Sequence, residues 1–301
     1  MEQWSIGFSA LPPSLQYSST PTHLDTFAAV IIAIVNQKGG CGKTTTAINL
    51  SACLAARGAS TLLIDLDPQS NATLGLGVVP DPERTIHRVL VDDEFAADDA
   101  VYPTGVFNLE IIPATILLSG ADLDLASVVG RESILKSKLA LLSQRYEFIL
   151  IDCAPSLTLL TINSLVAADE VLVPVQAHYY ALEGLKLLFQ TINIVKSRLN
   201  YRLAILGILP TFFDARTAIC RDVIVGLRDY FGSRVFSNLI RINSKLAEAP
   251  SANEPIHLYA PVSRGAEDYG NLADEIIGKL EENHHGGAGN AGVKLNQSFV
   301  S

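Results

Sequence analysis

Lysines, glycines and hydroxyls crowd into one short stretch, Gln37-Lys38-Gly39-Gly40-Cys41-Gly42-Lys43-Thr44-Thr45. An apolar run, Ala29 to Val35, leads into it, and Lys43-Thr44-Thr45 opens a helical pattern. Strand, glycine turn and helix start is the layout of a phosphate-binding loop. Gly39, Gly40 and Gly42 let the backbone curl so that successive N–H groups face one anion. The helix that follows turns its positive dipole end to the same anion. In that layout Lys43 reaches the β- and γ-phosphates and the Thr44 hydroxyl ligates Mg²⁺. Cys41 and Thr45 lie within the same cradle.

Two carboxylates at strand ends supply the rest of the chemistry. Thr61–Asp67, TLLIDLD, reads as a buried strand ending in Asp65 and Asp67. Ile149-Leu150-Ile151-Asp152 is a hydrophobic strand ending in an acid. In doubly wound sheets ligands sit beyond the carboxyl ends of the strands, which puts Asp67 and Asp152 at the loop. Asp67 can hold a water for attack on a γ-phosphate or touch the metal shell, and Asp152 can hold Mg²⁺ through water. The loop departs from G-x-x-x-x-G-K-[ST]: Gln37 stands where the first glycine belongs, and a second lysine, Lys38, lies just inside. The pattern is K-G-G-x-G-K-T, the deviant Walker A motif.

With its Leu66-Asp67-Pro68-Gln69 continuation, this stretch resembles the ParA/Soj family of partition ATPases, within the wider ParA/MinD class. The resemblance runs from about Ala29 to Leu280. It includes Asp152-Cys153-Ala154-Pro155-Ser156, where Ala154 replaces a family proline, and Ser263-Arg264-Gly265-Ala266. It implies ATP and Mg²⁺ as cofactors, slow ATP hydrolysis, and a homodimer closed by ATP in which Lys38 contacts the partner's nucleotide. It gives the hydrolytic role to Asp67. It puts Pro210 and Thr211, after the Leu203–Leu209 strand, near the adenine base, and it marks Arg216 as a DNA contact. Further partners implied are nonspecific double-stranded DNA and a ParB-like centromere-binding protein that stimulates release. The expected location is the cytoplasm of a bacterium, on the nucleoid. The family pattern P-R-N-x-R-L-x-E-A-P-S is only partly kept in Arg241-Ile242-Asn243-Ser244-Lys245-Leu246-Ala247-Glu248-Ala249-Pro250-Ser251. Ile242 and Lys245 replace its two arginines, and an arginine stands at 241 instead. Lys keeps the charge for phosphate but loses the fork; Arg241 and Lys245 are the candidate DNA contacts here.

Alternating strand and helix patterns position these residues. They predict α/β architecture: a doubly wound, mainly parallel sheet with helices on both faces, the P-loop NTPase fold. Helices are expected over Thr44–Arg57, stopped by Gly58, near Thr85–Leu90, over Arg131–Arg145, His178–Arg198 and Arg216–Phe231, and from Arg264 to about Glu282. Further strands are expected at the start of Asn108–Leu125 and over Ala168–Gln176. Tyr179 and Tyr180 read as packing residues, and His87 as a surface helix residue. The expected organisation is a polar, flexible extension over residues 1–28, one ATPase domain over 29–282 and a Gly/Asn-rich disordered tail over 283–301.

Composition bounds the alternatives. Of 301 residues, 49% are hydrophobic and 18% charged, which supports a large core. The longest apolar runs are strand-length, which leaves no transmembrane span, and residues 1–28 make a poor signal peptide. Cys41, Cys53, Cys153 and Cys220 show no C-x-x-C spacing, as suits a reduced protein without a zinc site, and His284-His285 is too short to read as a metal site. The net charge of −9 opposes bulk attraction to DNA, yet residues 184–264 carry 11 Lys/Arg against 5 Asp/Glu. A MinD-like membrane-associated positioning ATPase is the alternative, disfavoured by a glycine-rich tail with one lysine after Glu282. A nitrogenase-iron-protein-like reductase would need further cysteines at the dimer face, and no helix-turn-helix pattern supports a repressor.

Overall fold

The structure is a computed structural model that describes residues 29–178 and 181–285. The expectations for residues 1–28, for Tyr179 and Tyr180, and for the tail beyond His285 lie outside the described residues.

The strands are β1 (Val30–Ile34), β2 (Thr61–Leu66), β3 (Tyr102–Pro103), β4 (Leu109–Ile112), β5 (Phe148–Cys153), β6 (Glu170–Gln176) and β7 (Ala204–Thr211). They form one seven-stranded sheet in the order β3-β4-β2-β5-β1-β6-β7. Every pairing is parallel except β3 on β4, an antiparallel edge. The helices are α1 (Lys43–Ala56), α2 (Asn71–Gly75), α3 (Ile86–Val91), α4 (Ala121–Asp124), α5 (Ile134–Leu139), α6 (Leu159–Ala167), α7 (Ala181–Arg198), α8 (Ala218–Phe231), α9 (Ser244–Glu248), α10 (Ile256–Tyr259) and α11 (Arg264–His285). The expected doubly wound α/β architecture is what is found.

The inner strands read as unbroken apolar runs because both faces are covered. Along β1, Ile32 and Ile34 pack with α1 and α11, whereas Ile31 and Ala33 pack with the α3, α5, α6 and α7 side. In a strand successive side chains point to opposite faces, so one run feeds two cores. Parallel register sets Asp65 of β2 directly beside Asp152 of β5, and Ile34 of β1 on Asp152's other side. The loop after β1 and the acids of β2 and β5 therefore share one edge of the sheet.

Local sequence explains most boundaries. Gly42 caps α1 at φ 88°, and Gly58, at φ 95°, follows its C-cap Arg57. Several expectations change. β7 runs on through Pro210 and Thr211, which were expected after the strand. Arg131–Arg145 is not one helix but α5 between short 3₁₀ turns, Arg131–Ser133 and Leu142–Gln144. Leu139 and Leu142, three apart, are both buried, and a 3₁₀ turn keeps i and i+3 on one side. α8 begins at Ala218 rather than Arg216, because Asp214 Oδ1 accepts the Arg216 N–H and holds that residue in a turn. Leu159–Ala167, for which no helix was expected, forms α6.

Candidate functional site

The glycine loop sits on a buried polar base. Asn36 is 4% exposed; its amide donates to the Pro174 carbonyl at 2.7 Å, and its Oδ1 accepts the Lys38 N–H at 3.0 Å. This ties the start of the loop to β6. Gly40 and Gly42 both have φ in the left-handed region, 68° and 88°. A side chain at either would be strained, although at Gly40 nothing lies within reach of a Cβ. Open space over Gly39 and Gly40 leaves the loop free to receive an anion. Thr211 supports the loop from behind: its hydroxyl donates to the Cys41 carbonyl at 2.8 Å, and it is 2% exposed.

The two lysines differ in setting. Lys43 is 6% exposed, and its ammonium donates to the Lys38 carbonyl at 3.1 Å. Lys38 is exposed, and its ammonium donates to Gln176 Oε1 at 3.4 Å. Cys41 is fully buried beneath them, with its thiol on the Lys38 carbonyl at 3.2 Å. Burial pushes that thiol up, against the pull of Lys43.

Three acids converge on the loop. Asp152 is fully buried, and neither carboxylate oxygen has a hydrogen-bond partner among the described residues. Burial, then the neighbouring Asp65, raises its pKa well above the carboxylate range; the Thr44 hydroxyl and Lys43 oppose the shift. Asp65 is also fully buried and is pushed up to about 6 by burial. It is nevertheless satisfied: Oδ2 accepts the Thr73 N–H at 2.9 Å and the Thr73 hydroxyl at 2.7 Å, and Oδ1 accepts the Asp67 N–H at 3.2 Å. Asp67 is 6% exposed, and its Oδ1 accepts the Gln69 N–H at 2.9 Å. Buried acids this close tolerate each other only if protons or a cation intervene.

The structure thus brings together Lys38, Gly39, Gly40, Cys41, Gly42, Lys43, Thr44, Thr45, Asp67, Asp152 and Thr211. Pro210 lies in β7, where its carbonyl accepts the Ile240 N–H at 2.9 Å. The remaining candidates lie elsewhere, each beside a carboxylate. Arg216 is 88% exposed and bidentate on Asp214, which it holds down at about 2. Lys245 meets Glu248 at 2.6 Å, and Glu248 also accepts the Tyr259 hydroxyl. Arg241 grips Asp268, which is 5% exposed, and Glu267. Asn36, Thr73 and Gln176 escaped the sequence reading, since each works through an isolated polar side chain with no spacing to announce it. Phe212 escaped too: at φ 53° and 41% exposed, its ring edge lies against Gly42.

A glycine loop at the carboxyl edge of a parallel sheet, with a buried lysine and strand-end aspartates, defines a P-loop nucleoside triphosphatase site of the deviant Walker A type. A family model for an AAA domain matches residues 29–205. The sporulation initiation inhibitor protein Soj of Bacillus subtilis is 51% identical over 247 residues, 82% of this chain and 97% of that protein. The chromosome partitioning protein ParA of Myxococcus xanthus is 47% identical over 248 residues, 82% of this chain and 87% of that protein. Among solved structures, cobyrinic acid a,c-diamide synthase from Mycobacterium smegmatis, crystallised with ADP and magnesium, superposes with a TM-score of 0.74. It is 35% identical, and the match covers 85% of this chain and 96% of that one. The chain belongs to the Soj/ParA family of chromosome-partitioning ATPases.

Proposed function

We propose that this protein is an ATP-dependent DNA-segregation ATPase whose ATP-bound homodimer holds DNA nonspecifically and lets go when a ParB-like partner stimulates hydrolysis. The observation that carries the nucleotide part is Asp152: a fully buried carboxylate with no hydrogen-bond partner for either oxygen among the described residues, next to Thr44. Such a group asks for a cation. Thr44 and Asp152, with Asp67 nearby, fit Mg²⁺ bound with a nucleotide. When bound, the ion neutralises charge on the phosphates.

The chain's own residues do the rest. The loop amides from Gly39 to Thr45 wrap the phosphates, with Cys41 buried under the turn. Lys43 leaves the Lys38 carbonyl for the β/γ-phosphates. Lys38, exposed and held by Gln176 at 3.4 Å, can swing to reach a partner subunit's nucleotide. Asp67 orients the attacking water; while its carboxylate accepts the Gln69 N–H it is held by its own loop, which suits a slow intrinsic rate. Pro210 and Thr211 stand by the adenine. Arg216 and Lys245 meet DNA phosphates, and Arg241, tied to Asp268, braces the segment before α9. Two such faces on one dimer gain about 10²–10⁴ in avidity. No helix among the described residues is long and apolar enough to cross a membrane. The nucleoid is the proposed location, in the cytoplasm.

Steady-state phosphate release tests this reading. Slow release with ATP and Mg²⁺, accelerated by nonspecific DNA together with the ParB-like protein of the same organism, is expected. Absence of release in all conditions would remove it.

A further inference from the structure

Where β1 runs into the glycine loop, a side chain continues the ladder of the sheet. The main chain at the end of β1 reaches β6 through the Val35 N–H, which donates to the Leu172 carbonyl at 3.1 Å. In a parallel ladder the next donor to β6 would be the Gln37 N–H, on the Pro174 carbonyl. Pro174 has no N–H to return, and the β1 chain leaves the sheet here. The Asn36 side-chain amide takes that place, donating to the Pro174 carbonyl at 2.7 Å.

The other half of the same side chain shapes the loop. Asn36 Oδ1 accepts the Lys38 N–H at 3.0 Å, a turn closed two residues on. This aims the Lys38 carbonyl, on which the Lys43 ammonium rests at 3.1 Å and the Cys41 thiol at 3.2 Å. The next two residues hold the same region from outside: Gln37 donates to the Gly184 carbonyl of α7 at 2.7 Å, and the Lys38 ammonium to Gln176 at 3.4 Å. Of these three ties to β6 and α7, only the one from Asn36 is buried, where water competes least.

Few side chains can do both jobs. An aspartate keeps the acceptor but sets an oxygen against the Pro174 carbonyl, and a serine closes its own turn but does not reach β6. A leucine of similar shape offers neither group and leaves a buried carbonyl and a loop N–H unpaired. Main-chain N–H groups bind an anion best when they are aimed before it arrives, because a loop ordered only on binding loses affinity to the ordering.

We propose that Asn36 is a positioning residue for ATP binding: it carries the β1–β6 ladder into the loop and presets the backbone from Lys38 to Lys43 to receive the phosphates. The proposal rests on the reading of residues 39–45 as the phosphate cradle and adds the residue that holds the cradle in shape. Full-length Asn36→Ala, Asn36→Ser and Lys43→Ala test it, each titrated with a fluorescent ATP analogue and melted in urea without nucleotide. Asn36→Ala should lower ATP affinity about tenfold, about 1.4 kcal/mol. Asn36→Ser, whose hydroxyl can still close the turn on Lys38, should lower it only about threefold. A residue that merely supports the fold would lower the urea midpoint and leave the affinity of the folded chain as it was. Unchanged affinity in Asn36→Ala therefore overturns the proposal, as does a serine variant no better than the alanine one. Should Asn36→Ala not fold, the serine variant decides alone: its threefold loss is expected, and affinity equal to the unsubstituted chain overturns the proposal. Lys43→Ala separates the proposal from the reading beneath it. Full ATP affinity there removes the phosphate cradle and the role of Asn36 with it, whereas loss there with none in Asn36→Ala removes the positioning role alone.

Discussion

Asp152 and Lys43 are poised for a ligand in opposite ways. Among the described residues Asp152 has no hydrogen-bond partner for either oxygen, while Lys43 spends its charge on the Lys38 carbonyl. Lys43→Ala should weaken ATP binding about 100-fold, the worth of charge-assisted phosphate contacts; titration with a fluorescent ATP analogue checks it, and unchanged affinity would remove the lysine from the site. Asp152→Asn should act with two signs. Without nucleotide it removes a buried charge, so the protein should gain about 1 kcal/mol against urea. With nucleotide, the Mg²⁺ requirement should be lost along with turnover. Asp67→Ala should keep ATP binding and lower turnover by about 10²–10³, the usual share of a positioned carboxylate. Normal turnover would exclude it.

Elements carry their own tests. Glu170 opens β6 in register with Ile32 and Ala204, and its Oε2 is buried without a hydrogen-bond partner among the described residues. Burial, reinforced by Asp169, pushes its pKa up to about 7, against the pull of Lys196. In the unfolded chain it ionises near the ordinary carboxylate value, so between the two values the folded state binds more protons. Stability from this group therefore falls as pH rises through that window and stays low above it. Glu170→Gln should raise stability by about 1–2 kcal/mol at about pH 8 and leave it unchanged at about pH 4, read by urea melts at both. The strand runs and the glycine loop were legible in the sequence because buried parallel strands are apolar throughout and the loop needs its glycines. β3, two residues at the edge, gave no pattern to read. α6 was missed because Leu159–Ala167 is nearly all buried and shows little amphipathic contrast. The break around α5 was hidden because leucines three apart fit either helix type. At the site, motif residues were readable, whereas Asn36, Thr73 and Gln176 act through contacts made across the fold, at separations up to 138 residues.

Over the whole chain, charge is divided unevenly along the sequence. Residues 68–125 hold ten acids to two arginines, and residues 184–264 hold 11 Lys/Arg to 5 Asp/Glu. A net charge of −9 therefore coexists with a basic segment, which supplies the proposed DNA surface. The carboxylates beside Arg216 and Lys245 temper that surface, so one copy alone should hold DNA weakly. Lys245→Glu should weaken DNA binding about tenfold per protomer, reduce its salt dependence and spare ATP turnover. Gating of a DNA-phosphate-reading surface by nucleotide state is the core of the proposed function. Its most direct test is binding of the full chain to a nonspecific duplex at low and high salt, with ATP–Mg²⁺, with ADP and without nucleotide. Binding only with ATP–Mg²⁺, falling steeply as salt rises, is the predicted result. Equal binding in all three nucleotide states, or none in any of them while ATP still binds, would contradict it.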